Sequence, residues 1–275
     1  MVNSGDLKIE YFLLTSITIF VVTSLLFFIL LISSRVKKIR EKNKKDKLIP
    51  IIDRILFSVL FDNKTINDIY KENDMHILLK KKFFLNLLLV NVLRLHKNYS
   101  GDYAIKLKEL YVASGLVNVS FAKLKAKSWN LKCEGIRELS QMDIKESYDE
   151  IYKYTFSEFN TLKLEAFVGA VRLKGLKGLN TLTDHNEPLN DWIQLNILNA
   201  IKNSDYGSFP DSDRFLNSSN ECIVIFGLRL ISLYNQSNYY EQIKKIMLSA
   251  SSERIKKQAV KTIERLSSFD NAEII

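Results

Sequence analysis

Proline, glycine, cysteine and histidine are all scarce in this chain of 275 residues, and each shortage removes a class of molecule. Three prolines and nine glycines leave few backbone breakers, which excludes turn-rich β architectures and favours long helices. The only two cysteines, Cys133 and Cys222, are far apart and set in apolar helical contexts. They read as small buried hydrophobes in a reducing compartment, and they exclude a disulfide framework. His76, His96 and His185 stand alone, with no second His or Cys at metal-ligand spacing. No phosphate-binding glycine loop, dinucleotide fingerprint or nucleophile elbow occurs. The chain therefore reads as a non-enzyme with no cofactor and no metal.

What is present in quantity is uncharged apolar sequence, concentrated in residues 11–34, YFLLTSITIFVVTSLLFFILLISS. At 1.5 Å of rise per residue this stretch makes a helix of roughly 36 Å, enough to cross a hydrocarbon core of about 30 Å. The leader, residues 1–10, carries Asp6 and Glu10 against Lys8, the apolar run is long, and no small-x-small site follows, all of which argue against a cleaved signal peptide. A basic linker comes next, residues 35–47. Arg35, Lys37, Lys38, Arg40, Lys42, Lys44, Lys45 and Lys47 face only Glu41 and Asp46 there. Removing this +6 and the −1 of residues 1–34 from the whole-chain +9 leaves residues 48–275 with only +4. Basic residues flanking a membrane helix tend to stay in the cytoplasm, so the expected topology is single-pass with the N-terminus outside and the C-terminal domain cytoplasmic. The same eight cations are candidates for contact with anionic lipid headgroups.

Beyond the linker, long Leu/Ile/Phe runs at three- and four-residue spacing predict an all-α domain. Its later part repeats. Aligning helices on Gly135, Ala166, Asn196, Gly227 and Ala259 gives separations of 31, 30, 31 and 32 residues. Four residues before each anchor stand Leu131, Leu162, Trp192, Ile223 and Ile255. One residue after come Ile136, Phe167, Ile197, Leu228 and Val260, and four after come Leu139, Ala170, Ala200, Ile231 and Ile263. These positions form one helical stripe, so five helices are expected to bury the same face. Asn196 is the polar exception in the anchor slot. Shorter apolar segments between them, KESYDEIYKY, KGLNTL, DSDRFLNSS and YYEQIKKIML, supply the other half of each hairpin.

Segments such as LKLEAFVGAVRLKG, NDWIQLNILNAIK and SERIKKQAVKTIERL resemble HEAT repeats, whose second helix has a central Ala and a basic residue near its end. The resemblance covers residues 128–268 and implies an α-solenoid of about five helical hairpins, preceded by a helical cap over residues 48–127 and followed by a tail, 269–275. The layout of anchor, basic linker and short repeat domain is similar to bacterial membrane-tethered HEAT proteins, some of which accompany envelope glycosyltransferases. The resemblance thus implies a scaffold holding a membrane-associated protein partner, with an envelope-biosynthesis enzyme as the partner class it suggests. The alternative is a nucleic-acid reader similar to the HEAT-like DNA alkylation repair proteins. A domain of net +4 on a membrane anchor disfavours nucleic acid.

Opposite the buried stripe, two and six positions after the anchors, stand Arg137, Arg172, Lys202, Arg229, Lys261 and Arg265. Stacked repeats would line these partner-binding candidates into a basic ridge. An ordinary solvated face is the competing reading, since Glu134, Glu165 and Glu264 lie nearby and Val168, Leu198 and Leu233 interrupt the row. Exposed apolar residues in such a row are what a protein-binding groove would show. The one catalytic-looking cluster, Asp184, His185 and Glu187, precedes Pro188 and Asp191. It reads better as the polar turn that starts a helix. GLKG at residues 175–178 reads as a helix stop and tight turn, because a phosphate-clamping loop of this kind belongs to a fold with strands.

Overall fold

In a computed structural model, residues 4–62, 64–71, 75–184, 189–202 and 212–270 are described. The first helix, α1 (Ser4–Phe61), runs through the apolar stretch and the basic segment without a break. Its 58 residues span roughly 87 Å at the usual helical rise. It is long and apolar enough to cross a membrane, and residues 11–34 are exposed all round, with no protein cover. The threonine hydroxyls there are satisfied within the helix: Thr15 donates to the carbonyls of Tyr11 and Phe12, Thr18 to Leu14, and Thr23 to Ile19 and Phe20. A lipid-facing helix needs such internal partners, because hydrocarbon offers none. The eight cations of residues 35–47 are all exposed on the same helix, so the basic linker is a continuous helical shaft. Lys, Arg and Glu are good helix formers, and nothing in that segment breaks the propagation.

Pro50 lies inside α1 and cannot donate to the carbonyl four residues back. Beyond it the helix acquires a buried stripe, Ile52, Ile55, Leu56, Val59 and Leu60. The chain divides into two compact units at Asn91 and Val92. In the first, this stripe is accompanied by α2 (Ile66–Lys71), α3 (Met75–Leu78) and the start of α4 (Lys82–Asn98), which bury Ile69, Met75, Phe84, Leu88 and Leu89. Thr65 caps α2: its backbone N–H and hydroxyl both donate to Asp68, whose own N–H returns to the Thr65 oxygen.

The second unit contains α5 (Asp102–Ala113), α6 (Leu116–Leu124), α7 (Trp129–Gln141), α8 (Tyr148–Lys153) and α9 (Asn160–Lys174). A ten-residue 3-10 segment (Gly175–Asp184) follows, then α10 (Asp191–Lys202), α11 (Asp213–Leu216), α12 (Glu221–Leu233), α13 (Tyr240–Ser249) and α14 (Glu253–Asp270). No strand occurs among the described residues, and the protein is all-α. The helices α7, α9, α10, α12 and α14 carry the five repeat anchors, and each packs on the next. α6, α8, α11 and α13 pack beside α7, α9, α12 and α14 respectively. The first halves of the hairpins are short, and between α9 and α10 the segment is 3-10 rather than α.

α5 and α6 fall in the same unit as the repeats, whereas the sequence pattern places them in the 48–127 cap. The reason is a close crossing of α6 and α7. A Cβ on Gly135 would lie 2.6 Å from the backbone N of Leu124 and 2.8 Å from the Ser120 carbonyl oxygen, so glycine alone permits this approach.

Most of the expected stripe is buried, including Ile136, Leu139, Leu162, Ala166, Phe167, Ala170, Ile197, Ile223, Leu228, Ile231 and Ala259. Leu131 (40% exposed), Trp192 (50%) and Val260 (39%) face solvent instead. Helix α10 buries Ile193, Gln194, Ile197 and Ile201, a face turned away from the anchor residue. That turn leaves Asn196 half-buried, with its amide donating to the Trp192 carbonyl at 2.7 Å. A polar side chain in the anchor slot is accommodated by rotating the helix, and Trp192 swings outward with it.

Candidate functional site: a cationic and aromatic helical surface

Arg137, Arg172, Lys202, Lys261 and Arg265 are exposed, on helices that pack in series. Arg137 forms an ion pair with Glu165 on the neighbouring helix. Arg229 is different. Its guanidinium donates to Gln194 Oε1 at 2.8 Å, to Asp191 Oδ1 at 2.9 Å and to Gln258 Oε1 at 3.4 Å, tying α12 to both α10 and α14. Gln194 is fully buried and its Nε2 donates to the Leu189 carbonyl, so this amide is satisfied on both sides. Asp191 also accepts from Arg254, which reaches Glu221 as well. The sequence-level expectation of exposed apolar breaks in the row does not hold for Leu198 and Leu233, which are half-buried against the core formed around Ile197 and Phe226. Val168 is half-buried too, and lines a narrow cleft with Arg172, Ile197 and Ala200.

A buried polar cluster joins α6 and α7, and sequence reasoning missed it. Glu138, nine-tenths buried, accepts from the Ser120 hydroxyl at 2.7 Å and from the Lys123 ammonium. Lys123 also reaches Glu134 at 3.2 Å. Burial pulls the Lys123 pKa down, but hydrogen bonds and charge from Glu138 and Glu134 outweigh it and leave the value raised. Both Glu138 oxygens are engaged within the fold, so the cluster is a staple. The available signal was a carboxylate three residues after an anchor, where the equivalent positions on α9, α12 and α14 hold the buried Gly169, Leu230 and Thr262.

Beside this cluster the Tyr111 hydroxyl is enclosed and makes no hydrogen bond of good geometry; burial pushes its pKa well above the ordinary tyrosine range, opposed only by its contact with Ser120. An unsatisfied buried hydroxyl costs about 1–3 kcal/mol, so Tyr111→Phe is expected to leave stability unchanged or to raise it by about 1 kcal/mol. Urea denaturation of the two proteins checks this, and a loss of more than about 1 kcal/mol would show that the hydroxyl is bonded after all.

The N-terminal ends of α7 and α9 present a second surface. Trp129 and Phe159 are exposed and stack, with ring centroids 6.2 Å apart and planes 14° from parallel. Phe156 stands edge-on to Tyr152, which stacks on Tyr148. Lys174 lies 3.5 Å above the Tyr148 ring and Lys132 lies 4.7 Å above the Tyr154 ring. Between these groups opens a shallow pocket of about 320 Å³, lined in part by Lys127, Lys132, Lys153, Trp129, Phe156 and Phe159.

The remaining chemistry-bearing residues are dispersed. Asp184 ends the 3-10 segment, while His185 and Glu187 lie outside the described residues, as do the side chains of Asp184 and His76. His96 is half-buried, and burial, then the charge of Lys108, lowers its pKa against an opposing effect of Asp143. In the GLKG segment Gly178 abuts the Ala170 carbonyl, where any Cβ would collide. Among the described residues no group of three His, Cys, Asp or Glu side chains is placed to hold a metal ion.

No protein-family model matches the chain, and none of the curated proteins matches it. Among solved structures, an engineered protein from the Northeast Structural Genomics Consortium is similar at 16% identity, over 71% of this chain and 97% of that one. The TM-score of that pair is 0.35, too low to carry an argument about fold or function.

Proposed function

We propose that this chain is a membrane-tethered helical-repeat scaffold, akin to HEAT-repeat proteins, that holds a protein partner at the cytoplasmic face and performs no chemistry of its own. The observation that supports this reading is the exposure of Arg172, Lys202, Lys261 and Arg265, with Arg137 paired to Glu165 beside them, along helices packed in series. A row of this kind makes an extended positive field, which steers an acidic protein surface and fixes its register. Helix α1 supplies the tether, with its basic shaft on the cytoplasmic side and its N-terminus outside. Confinement near a membrane raises the effective concentration of a membrane-associated partner, so tethering is itself the mechanism. An envelope-biosynthesis enzyme is the partner class that the repeat resemblance suggests.

Reversal of Arg172, Lys202 and Lys261 to Glu is expected to weaken retention of that partner by at least about tenfold while leaving melting unchanged. Arg229 is left intact, because reversing it would break its ties to Gln194 and Asp191 and confound binding with folding. The check is affinity purification of both full-length proteins from gently solubilised native membranes, comparing what co-purifies in stoichiometric amount. Equal retention by the triple variant would exclude the cationic row as the binding surface.

A further inference from the structure

We propose that the N-terminal edge of α7 and α9 docks on an anionic bilayer surface, with Trp129, Phe156 and Phe159 at headgroup depth and Lys127, Lys132 and Lys153 against lipid phosphates. This rests on the reading of α1 as a membrane anchor.

The residue choices at this edge do not serve the helices they begin. Phe159 occupies the N-cap of α9, where Ser, Thr, Asp or Asn would satisfy an open backbone N–H, and its side chain makes no capping bond. Trp129 opens α7, again with no side-chain cap from Ser128. The two rings stack on each other while Trp129 stays 38% exposed, Phe159 57% and Phe156 49%. Three large rings at one shallow pocket form a contiguous apolar patch of the kind that marks an interaction surface.

Charge decides between occupants. The pocket is lined by Lys127, Lys132 and Lys153 against Glu158, and Lys153 also pairs with Glu150 at 2.8 Å, so Lys127 and Lys132 carry the cationic excess that favours an anionic partner. Amphipathic rings interleaved with long cationic side chains are the composition that settles at membrane interfaces, rings among the acyl-chain ends and ammonium groups among the phosphates. An anionic bilayer is also the one surface that the chain brings with it.

Tryptophan supplies the readout. Trp129 and Trp192 are the only two in the chain, so Trp192→Phe leaves Trp129 as the sole reporter. Full-length protein with this substitution goes into nanodiscs of acyl-chain-brominated phosphatidylcholine, with and without phosphatidylglycerol. Trp129 emission is expected to be quenched and blue-shifted when phosphatidylglycerol is present. Adding Lys127→Glu and Lys153→Glu should lower the docked-to-undocked ratio by roughly fivefold or more per reversal. Emission that ignores both bromination and phosphatidylglycerol, from protein that resists alkaline extraction from membranes, overturns the docking edge and leaves the anchor standing. The exposed rings would then belong to a protein contact. Release of the protein by alkaline extraction overturns the anchor and, with it, this proposal.

Discussion

Replacing Gly135 with valine is expected to unfold the repeat unit or to destabilise it by about 3 kcal/mol or more. The sign of the smaller change, Gly135→Ala, is the sharper test. In an ordinary helix interior alanine in place of glycine stabilises by about 1 kcal/mol, because it lowers the entropy of the unfolded chain. Here even one methyl would sit 2.6 Å from the Leu124 backbone N and 2.8 Å from the Ser120 carbonyl oxygen. Backbone atoms cannot rotate aside as a side chain would, so α6 and α7 must separate, and the apolar contacts between them are lost. Asn130→Ala, at an exposed position on the same helix, should stay within about 0.5 kcal/mol of the parent. Thermal and urea melts of the detergent-solubilised protein, followed by helical circular dichroism, distinguish the three. A stabilised Gly135→Ala would mean that the two helices are not in backbone contact.

Lys123→Met comes next in expected size. It strips the cation from Glu138, whose side chain retains only 11% exposure, and leaves Ser120 as the one side chain still bonded to that carboxylate. Breaking one side of a buried pair costs roughly 3–5 kcal/mol, and the lower figure applies because the lysine end keeps contact with water. The double replacement Lys123→Met with Glu138→Leu should recover most of the loss, since an apolar pair removes the stranded charge.

The same cluster sets the alkaline limit of stability. The folded pKa of Lys123 lies above its ordinary 10.5, so the ion pair contributes fully below that pH and is lost as pH rises through the folded value. Tyr111 acts in the same direction. Its unfolded form ionises near 10 while the buried form holds its proton, which favours the unfolded chain as pH rises past that point. Stability should therefore fall from about pH 10 upward, and less steeply in Lys123→Met and in Tyr111→Phe. Urea midpoints measured between neutral pH and pH 11 check the slope; parallel curves for all three proteins would remove the cluster as the cause.

Much of the fold could be read from spacing alone. A period of about thirty residues placed the five helices α7, α9, α10, α12 and α14, because each must bury the same stripe against its neighbours. Errors arose where one position serves two purposes. Trp192 and Leu131 fit the apolar register yet face solvent, since periodicity records hydrophobicity and cannot tell a core from an exposed edge. Arg229 fits the charged register yet is drawn inward, because the acceptors that claim it, Asp191, Gln194 and Gln258, are 38, 35 and 29 residues away in sequence. The Glu138 staple was hidden for the same reason, with Ser120 and Lys123 on a preceding helix. Long-range polar pairing leaves no periodic trace.

The unbroken course of α1 gives the chain a property that a slack tether would lack, namely rotational phase. Each residue of an α-helix advances the azimuth by about 100°, so the apolar segment and the Ile52–Leu60 stripe are keyed to each other like teeth on one shaft. Inserting one residue between 35 and 47 would turn the two ends by about 100° and part them by about 1.5 Å, whereas an insertion close to a whole number of turns would restore the setting. Length can drift in such a connector by whole turns, and angle cannot.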